Sequence, residues 1–177
     1  NYIDEIVINC DDSYTEEKLS QYFNSLKFVY RSEDLKGNEI SMNKIISFTL
    51  DECKNESIFQ THTTNPLLTV ETIDTVIKKH IDNSLDYFAV SKLQERLYDQ
   101  SGNPINHNIN ELIQTQDLEP LYQENSGFYI FSKKSFRENN NRITSTSTFF
   151  ETSFPENIDI DNQSDFEIAE KALMRMK

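Results

Sequence analysis

The chain has 177 residues, 36% hydrophobic and 27% charged, with Phe 12 and Tyr 8 supplying core material. That suits a single globular domain burying roughly 70% of its unfolded surface. Lys+Arg 17 against Asp+Glu 30 gives a formal charge of -13, a field that repels nucleic acid and anionic membrane alike. No local cationic run offsets it, since the densest are Lys78-Lys79 and Lys133-Lys134. Two cysteines, Cys10 and Cys53, exclude a disulfide framework and a cysteine-built zinc site. No run of 18 apolar residues spans a membrane and no secretory leader opens the chain, so a reducing cytoplasm is the expected compartment.

The first element is an Ile/Val-rich run, Ile3 to Asn9, that reads as a buried strand ending in Cys10-Asp11-Asp12-Ser13. Cys10 is expected to be buried filler. Thr15 is placed to cap a helix whose apolar set is Leu19, Tyr22, Phe23 and Leu26. Phe28-Val29-Tyr30 is a short strand, and a polar loop from Arg31 to Glu39 leads to a helix from Ser41 to about Glu52. Ser57 to Gln60 forms another strand, followed by a loop that stops at Pro66. Thr69 caps a helix with Ile73, Val76, Ile77 and His80 on one stripe, and Tyr87 to Val90 is again a strand. Short strands alternating with amphipathic helices predict an α/β fold with a mainly parallel sheet.

From Ser91 to Tyr122 this rhythm breaks into turn-rich chain around Asp99-Gln100-Ser101-Gly102-Asn103-Pro104. A structureless stretch of about 30 residues inside a compact domain is usually functional or an interaction arm. Gly127 to Ser132 is strand-like and Asn139 to Ser147 is loop. Phe149 to Ile160 has strand character, and Ser164 to Met174 is the closing helix. No repeat or linker divides residues 1–177.

Ligands of such sheets bind at the carboxyl ends of the strands. Three polar segments fall there: Asp11-Asp12, Thr61 to Pro66, and Asp159 to Asp161. On an extended segment Asp159 and Asp161 project together, roughly 6–7 Å apart, while Ile158 and Ile160 turn to the core. Two carboxylates so placed suit a hard divalent cation; a solvated strand end leading into a helix is the other reading. A calcium loop fits poorly, because Ser164 holds its glycine position. The Thr61-His62-Thr63-Thr64-Asn65-Pro66 loop offers hydroxyls, an imidazole and an amide to a polyhydroxylated ligand, or else satisfies its own turn. With Gly37, Gly102 and Gly127 as the chain's glycines, no glycine-rich phosphate cradle can be built.

Five segments taken in order resemble the acylneuraminate cytidylyltransferases, the CMP-sialic acid synthetases. They are Ile6-Val7-Ile8-Asn9-Cys10-Asp11-Asp12, Tyr30-Arg31-Ser32-Glu33-Asp34-Leu35 and Thr63-Thr64-Asn65-Pro66-Leu67-Leu68, then Thr115 to Pro120 with Glu124 to Phe131, and finally Ile158 to Glu170. The resemblance implies a three-layer nucleotide-diphosphosugar transferase fold. It implies transfer of CMP from CTP to the anomeric hydroxyl of a nonulosonic acid, with release of pyrophosphate. Asp159 and Asp161 match the metal-binding catalytic pair, which would hold Mg²⁺ against the phosphates. Arg31 and Ser41 fall where the family contacts the cytidine. His62, Asn125, Gln116, Tyr129 and Lys92 fall on the sugar side, with Phe149 or Phe150 as walls. Residues 91–122 match a dimerisation arm, so a homodimer is implied.

The resemblance also marks departures. His62 stands where many members carry Gln, and Gln114-Thr115 stand where many carry Arg. Both point to an acceptor other than ordinary sialic acid, such as legionaminate, with Lys92 as the expected partner for its carboxylate. Members open with a strand and a basic, glycine-containing loop that cradles the triphosphate. Asn1-Tyr2-Ile3 already approaches the second strand, so a unit on the order of 40 residues is expected outside this sequence. These 177 residues alone are not expected to turn over CTP. A non-catalytic nucleotide-sugar-binding or interaction domain on the same fold is the alternative.

Overall fold

Phe128, Tyr129, Ile130 and Phe131 are each 2% exposed or less. Four consecutive apolar side chains can all be buried in a strand only if both faces of the sheet are covered. In the computed structural model, which describes residues 2–37 and 39–176, they lie on the strand that organises the fold. The elements run β1 (Ile6–Cys10), α1 (Ser13–Leu19), β2 (Leu26–Tyr30), α2 (Met42–Glu52), β3 (Ser57–Thr61), α3 (Val70–Asn83), β4 (Tyr87–Leu93), β5 (Leu121–Ser132), α4 (Lys133–Asn139), β6 (Thr148–Glu151) and α5 (Gln163–Met176). Strands β1 and β2 pair in parallel as one sheet, and the second sheet has the order β3-β5-β4-β6.

The α/β class holds, but the ladders are mixed rather than mainly parallel. Strand β4 pairs with β6 in parallel, whereas β5 runs antiparallel to both β3 and β4. The irregular stretch explains the reversal. Leu93 at the end of β4 pairs with Leu121 at the start of β5, so the chain between them closes a long hairpin. Without a crossover helix the returning strand has to be antiparallel.

Alternation along β5 builds two cores. Phe128 and Ile130 pack with Val76 and Ile77 of α3, while Tyr129 and Phe131 pack with Ile46 and Leu50 of α2 and Phe136 of α4. These are the outer layers of a three-layer sandwich, and each large apolar side chain so buried is worth about 1.5–3 kcal/mol. His80, on the α3 stripe, is a satisfied core residue: its Nδ1 lies 2.7 Å from the Leu85 carbonyl and its Nε2 3.0 Å from Ser57 Oγ.

Several local expectations give way to tertiary pairing. Helix α1 is capped by Asp12, not Thr15, and stops at Leu19. Tyr22 and Phe23 lie outside it, 77% and 56% exposed, because Leu26 is claimed by β2 opposite Ile6. Thr69 caps α3 as the sequence predicts, and Ser41, at the expected start of the second helix, caps α2. Strand character after Phe149 ends at Glu151, so Ile158 to Asp161 lies outside any strand. Helix α5 opens on a reciprocal cap. Asn162 Oδ1 accepts from the Ser164 and Asp165 amides, and Asp165 Oδ2 accepts from the Asp161 and Asn162 amides. No helix among the described residues is long and apolar enough to cross a membrane.

The segment before Asp159 is clamped to the start of α3. Glu156 accepts hydrogen bonds from the Thr69 amide at 2.8 Å, the Thr69 hydroxyl at 2.6 Å and the Thr72 hydroxyl at 3.0 Å. A carboxylate at a helix N-terminus gains from the helix dipole as well as from these bonds. Replacing Glu156 with Ala is expected to lower unfolding stability by about 2 kcal/mol, read as a shift of the urea midpoint at unchanged slope. A midpoint within error of the parent contradicts the clamp.

Candidate active site

Two of the three predicted loops meet beyond the end of β3. The Asn65 amide closes a turn on the His62 carbonyl at 3.1 Å, while the Ile160 amide donates across to the Thr64 carbonyl at 2.9 Å. Asn65, 4% exposed, donates from Nδ2 to the Ile158 carbonyl at 3.2 Å. Its side chain therefore stitches two loops together instead of satisfying its own turn. The partner segment is oriented by its isoleucines, since Ile158 and Ile160 pack against Leu67, Ala169 and Ala172. Ile158 and Ile160 thus face the core, as the sequence predicts.

Asp159 Oδ1 is buried without a hydrogen-bond partner. A carboxyl oxygen withdrawn from water without a partner is costly unless a ligand completes it. Asp161 is exposed, and neighbouring Asp165 is committed to the α5 cap. Among the described residues no group of three His, Cys, Asp or Glu side chains could hold a metal. Two carboxylates, one with an orphaned oxygen, fit a hard cation such as Mg²⁺ that draws its remaining oxygens from substrate and water.

The second half of the site is a cluster that the sequence does not reveal. Arg142, from the loop after α4, lies flat over Tyr129 with its Cζ 3.4 Å from the ring centroid. Its Nη1 donates to Gln60 Oε1 at 3.1 Å and lies 3.4 Å from His62 Nε2. The Gln60 amide nitrogen also faces His62 Nε2 at 3.4 Å, and the imidazole stands edge-on to Tyr129 at 6.4 Å. The Tyr129 hydroxyl donates to Glu124. A shift of register puts Glu124 there: Phe88 pairs with Tyr129 but Val90 with Glu124, and Ser126 takes a φ of 59° in the resulting bulge.

Burial sets the protonation states of this cluster. It pushes the His62 pKa below 6.5, and the Arg142 charge pushes it further down while Asp159 opposes. The imidazole is therefore neutral near pH 7, with its Nε2 lone pair facing the N–H groups of Arg142 and Gln60. Burial and the bond to Glu124 raise the Tyr129 pKa, so the phenol keeps its proton. Burial also lowers the Arg142 pKa, although a guanidinium stays charged in any protein.

The remaining predicted residues lie elsewhere or are already engaged. Asn125 Nδ2 donates to Ser91 Oγ at 2.9 Å and to Thr152 Oγ1 at 2.8 Å, and its Oδ1 accepts from the Gly127 amide at 3.1 Å. It braces the bulge and has little capacity left for a ligand. Lys92 is exposed on β4 one residue past Ser91, and strand alternation points it away from Asn125. Gln116 is exposed and bonded to Gln114. Arg31 Nε lies 3.1 Å from Asp11 Oδ1, off the hydrogen-bond axis, and Ser41 serves as the α2 cap. Phe149 is exposed and stacked on Tyr122 at 4.4 Å, whereas Phe150 turns inward onto Phe128. No hydrogen bond or ion pair among the described residues joins Lys92, Gln116, Arg31 or Ser41 to the His62–Asp159 cluster. A cavity of 640 Å³ lined by Asp4, Glu5, Lys27 and Lys54 lies at the opposite, amino-terminal ends of β1 and β2.

Comparison with known proteins bears on what such a site handles. No curated protein sequence matches the chain. Solved structures match it across nearly its whole length at low identity, which shows the fold. The 4-diphosphocytidyl-2C-methyl-D-erythritol synthase of Anaerococcus prevotii superposes with a TM-score of 0.67 at 14% identity, covering 98% of this chain and 80% of that one. A CMP:2-keto-3-deoxy-manno-octonic acid synthetase complexed with CTP gives 0.66 at 9% identity, covering 99% and 83%. HddC from Yersinia pseudotuberculosis, complexed with GMP-PN, gives 0.56 at 14%, covering 97% and 78%. The sequence profile described as Cytidylyltransferase matches residues 1–176. The chain thus belongs to the cytidylyltransferase family, nucleotidyltransferases that use CTP.

Proposed function

We propose that this cytidylyltransferase transfers CMP from CTP to the anomeric hydroxyl of a nonulosonic, sialic-type acid. The hydroxyl oxygen attacks the α-phosphorus and gives up its proton to water, the bond from that phosphorus to the bridging oxygen breaks, and pyrophosphate leaves with the electron pair. Family membership supports the nucleotide, and the ordered resemblance to acylneuraminate cytidylyltransferases supports the acceptor. One structural neighbour, complexed with CTP, is a synthetase for a keto-deoxy sugar acid.

The observation that carries the reading is the orphaned Asp159 Oδ1, buried where its segment is hydrogen-bonded to the Thr61–Pro66 loop that carries His62. Asp159 and Asp161 would hold Mg²⁺, which when bound neutralises charge on the phosphates and on the departing pyrophosphate. The chain's own residues orient the reactants and exclude water. The Glu156 clamp and the Thr64–Ile160 bond fix Asp159 in place, and His62 offers a neutral hydrogen-bonding edge. Arg31 and Ser41 are assigned to the nucleotide, and the Tyr129 side of the cluster to the sugar. Gln116, Asn125 and Lys92 stay at the rim of that assignment, since none reaches the cluster in this structure.

The proposal includes a homodimer formed through residues 91–122. That arm exposes Ile105, Ile109 and Leu112, the last at 97%, and Gln94 folds it back by donating to the Thr115 and Leu118 carbonyls at 3.3 and 2.6 Å. Exposed apolar groups on an ordered arm suit a second copy. Light scattering of Leu112→Glu is expected to show a lower apparent mass than the parent at equal concentration; an unchanged mass contradicts this use of the arm.

Pyrophosphate release by the natural full-length protein tests the reaction itself. With CTP, Mg²⁺ and a nonulosonic acid, Asp159→Asn and Asp161→Ala are each expected to lower kcat by roughly 100-fold or more. Both should also require more Mg²⁺ for half-maximal rate. Either variant keeping more than half the parent rate at low Mg²⁺ contradicts the assignment.

A further inference from the structure

We propose that Arg142 is the residue that reads the acid group of the acceptor, an inference that rests on the acid-sugar reading above. Of the ion pairs among the described residues, none includes Arg142. Its guanidinium is nevertheless half-buried, with one face covered by Tyr129. The acid closest to hand, Glu124, is bonded to the Tyr129 hydroxyl. Glu124 lends Arg142 a favourable charge but makes no ion pair with it, so an arriving anion would give the half-buried guanidinium a direct partner.

The geometry also selects the kind of anion. A guanidinium carries five N–H donors. Nη1 meets Gln60 and His62, and the remaining donors can engage a planar carboxylate by two parallel bonds. Arg142 is delivered by an ordered loop. The Asn43 side-chain amide donates to the Asn140 carbonyl at 2.8 Å, Ile143 packs into the α2/α4 core, and Thr144 and Ser147 close a turn through bonds of 2.9 and 3.1 Å. A cation held in this way loses little freedom when ligand binds.

Its position suits the chemistry. Arg142 lies 3.4 Å from His62, and the segment that carries Asp159 is bonded to the His62 loop through Ile160 and Thr64, so the cation and the orphaned carboxylate oxygen belong to one group of joined loops. In a 2-keto sugar acid the carboxylate sits on the anomeric carbon, next to the hydroxyl that attacks. Holding that carboxylate at Arg142 sets the hydroxyl on the side of Asp159, where the α-phosphate and its metal would lie. Arg142 thereby supplies the cation that Gln114-Thr115 lack and that Lys92 cannot bring to the cluster.

The test uses the full-length protein with Arg142→Gln and Arg142→Lys, legionaminate as acid probe, and its C1 carboxamide as neutral control. Arg142→Gln is expected to raise the KM for the acid by roughly 10- to 100-fold, with the KM for CTP within about twofold of the parent. Arg142→Lys, which keeps the charge without the planar fork, falls between the two. The parent's preference for acid over carboxamide should collapse in Arg142→Gln. An unchanged acid KM, an unchanged preference, or an equal rise in the KM for CTP overturns the proposal, the last assigning Arg142 to the nucleotide. Ligand-observed NMR of the acid without CTP separates this inference from the proposed reaction. Binding by the parent that Arg142→Gln abolishes supports it even if no pyrophosphate is released, and binding that survives the substitution, or is absent from the parent, overturns it.

Discussion

The burial of β5 on both faces is the constraint from which the rest of the structure follows. Its four central side chains can leave water only if α3 covers one face and α2 with α4 the other, and that requirement makes the three layers. Because β5 returns as the second limb of a hairpin from β4, it slots antiparallel between two strands that run parallel to each other. The bulge at Asn125 to Gly127 then swings Glu124 over the Tyr129 hydroxyl. One strand thus supplies the core, the platform beneath Arg142 and the acceptor for the tyrosine proton.

On that platform Arg142 lies against His62, and the segment that carries Asp159 is bonded to the His62 loop. Arg142 and Asp159 both act on His62, yet neither makes an ion pair among the described residues. A neutral imidazole is a suitable spacer, since it offers a hydrogen-bond edge to each side and adds no charge of its own. Direct Arg–Asp contact would neutralise both groups and leave nothing for an anionic acceptor or a metal–phosphate group to complete. The chain is strongly acidic overall, with a formal charge of -13, so a single shielded cation next to a cation-seeking carboxylate stands out as a place prepared for ligands.

Local pattern made most of this architecture legible in the sequence, and long-range pairing decided the rest. The helix stripes of α2 and α3, the cap at Thr69, and the inward-facing Ile158 and Ile160 are properties of a few adjacent residues. The direction of β5 is not. It depends on whether residues 94–120 form a crossover or a hairpin, and their turn-rich composition suits both. The end of α1 was hidden for a similar reason, because Leu26 fits the helix stripe and the β2 ladder equally well. Arg142 was hidden more deeply. It stands in the polar run Asn139-Asn140-Asn141-Arg142, about which periodicity says nothing, and its partners Gln60 and His62 lie 82 and 80 residues away in sequence. Asn125 shows the converse: a polar residue within a recognisable motif whose hydrogen bonds are spent on Ser91, Thr152 and Gly127.

The central claim is that the two unpaired charges around His62 belong to one site for a sugar acid and the phosphates of CTP. Mass analysis of the products formed by the full-length protein from CTP, Mg²⁺ and a panel of nonulosonic acids and neutral polyols tests it most directly. The account predicts a CMP-linked sugar acid formed with an equal amount of pyrophosphate, and no adduct with the neutral acceptors. Cytidylylation of a neutral polyol, with every acid left unmodified, would contradict it.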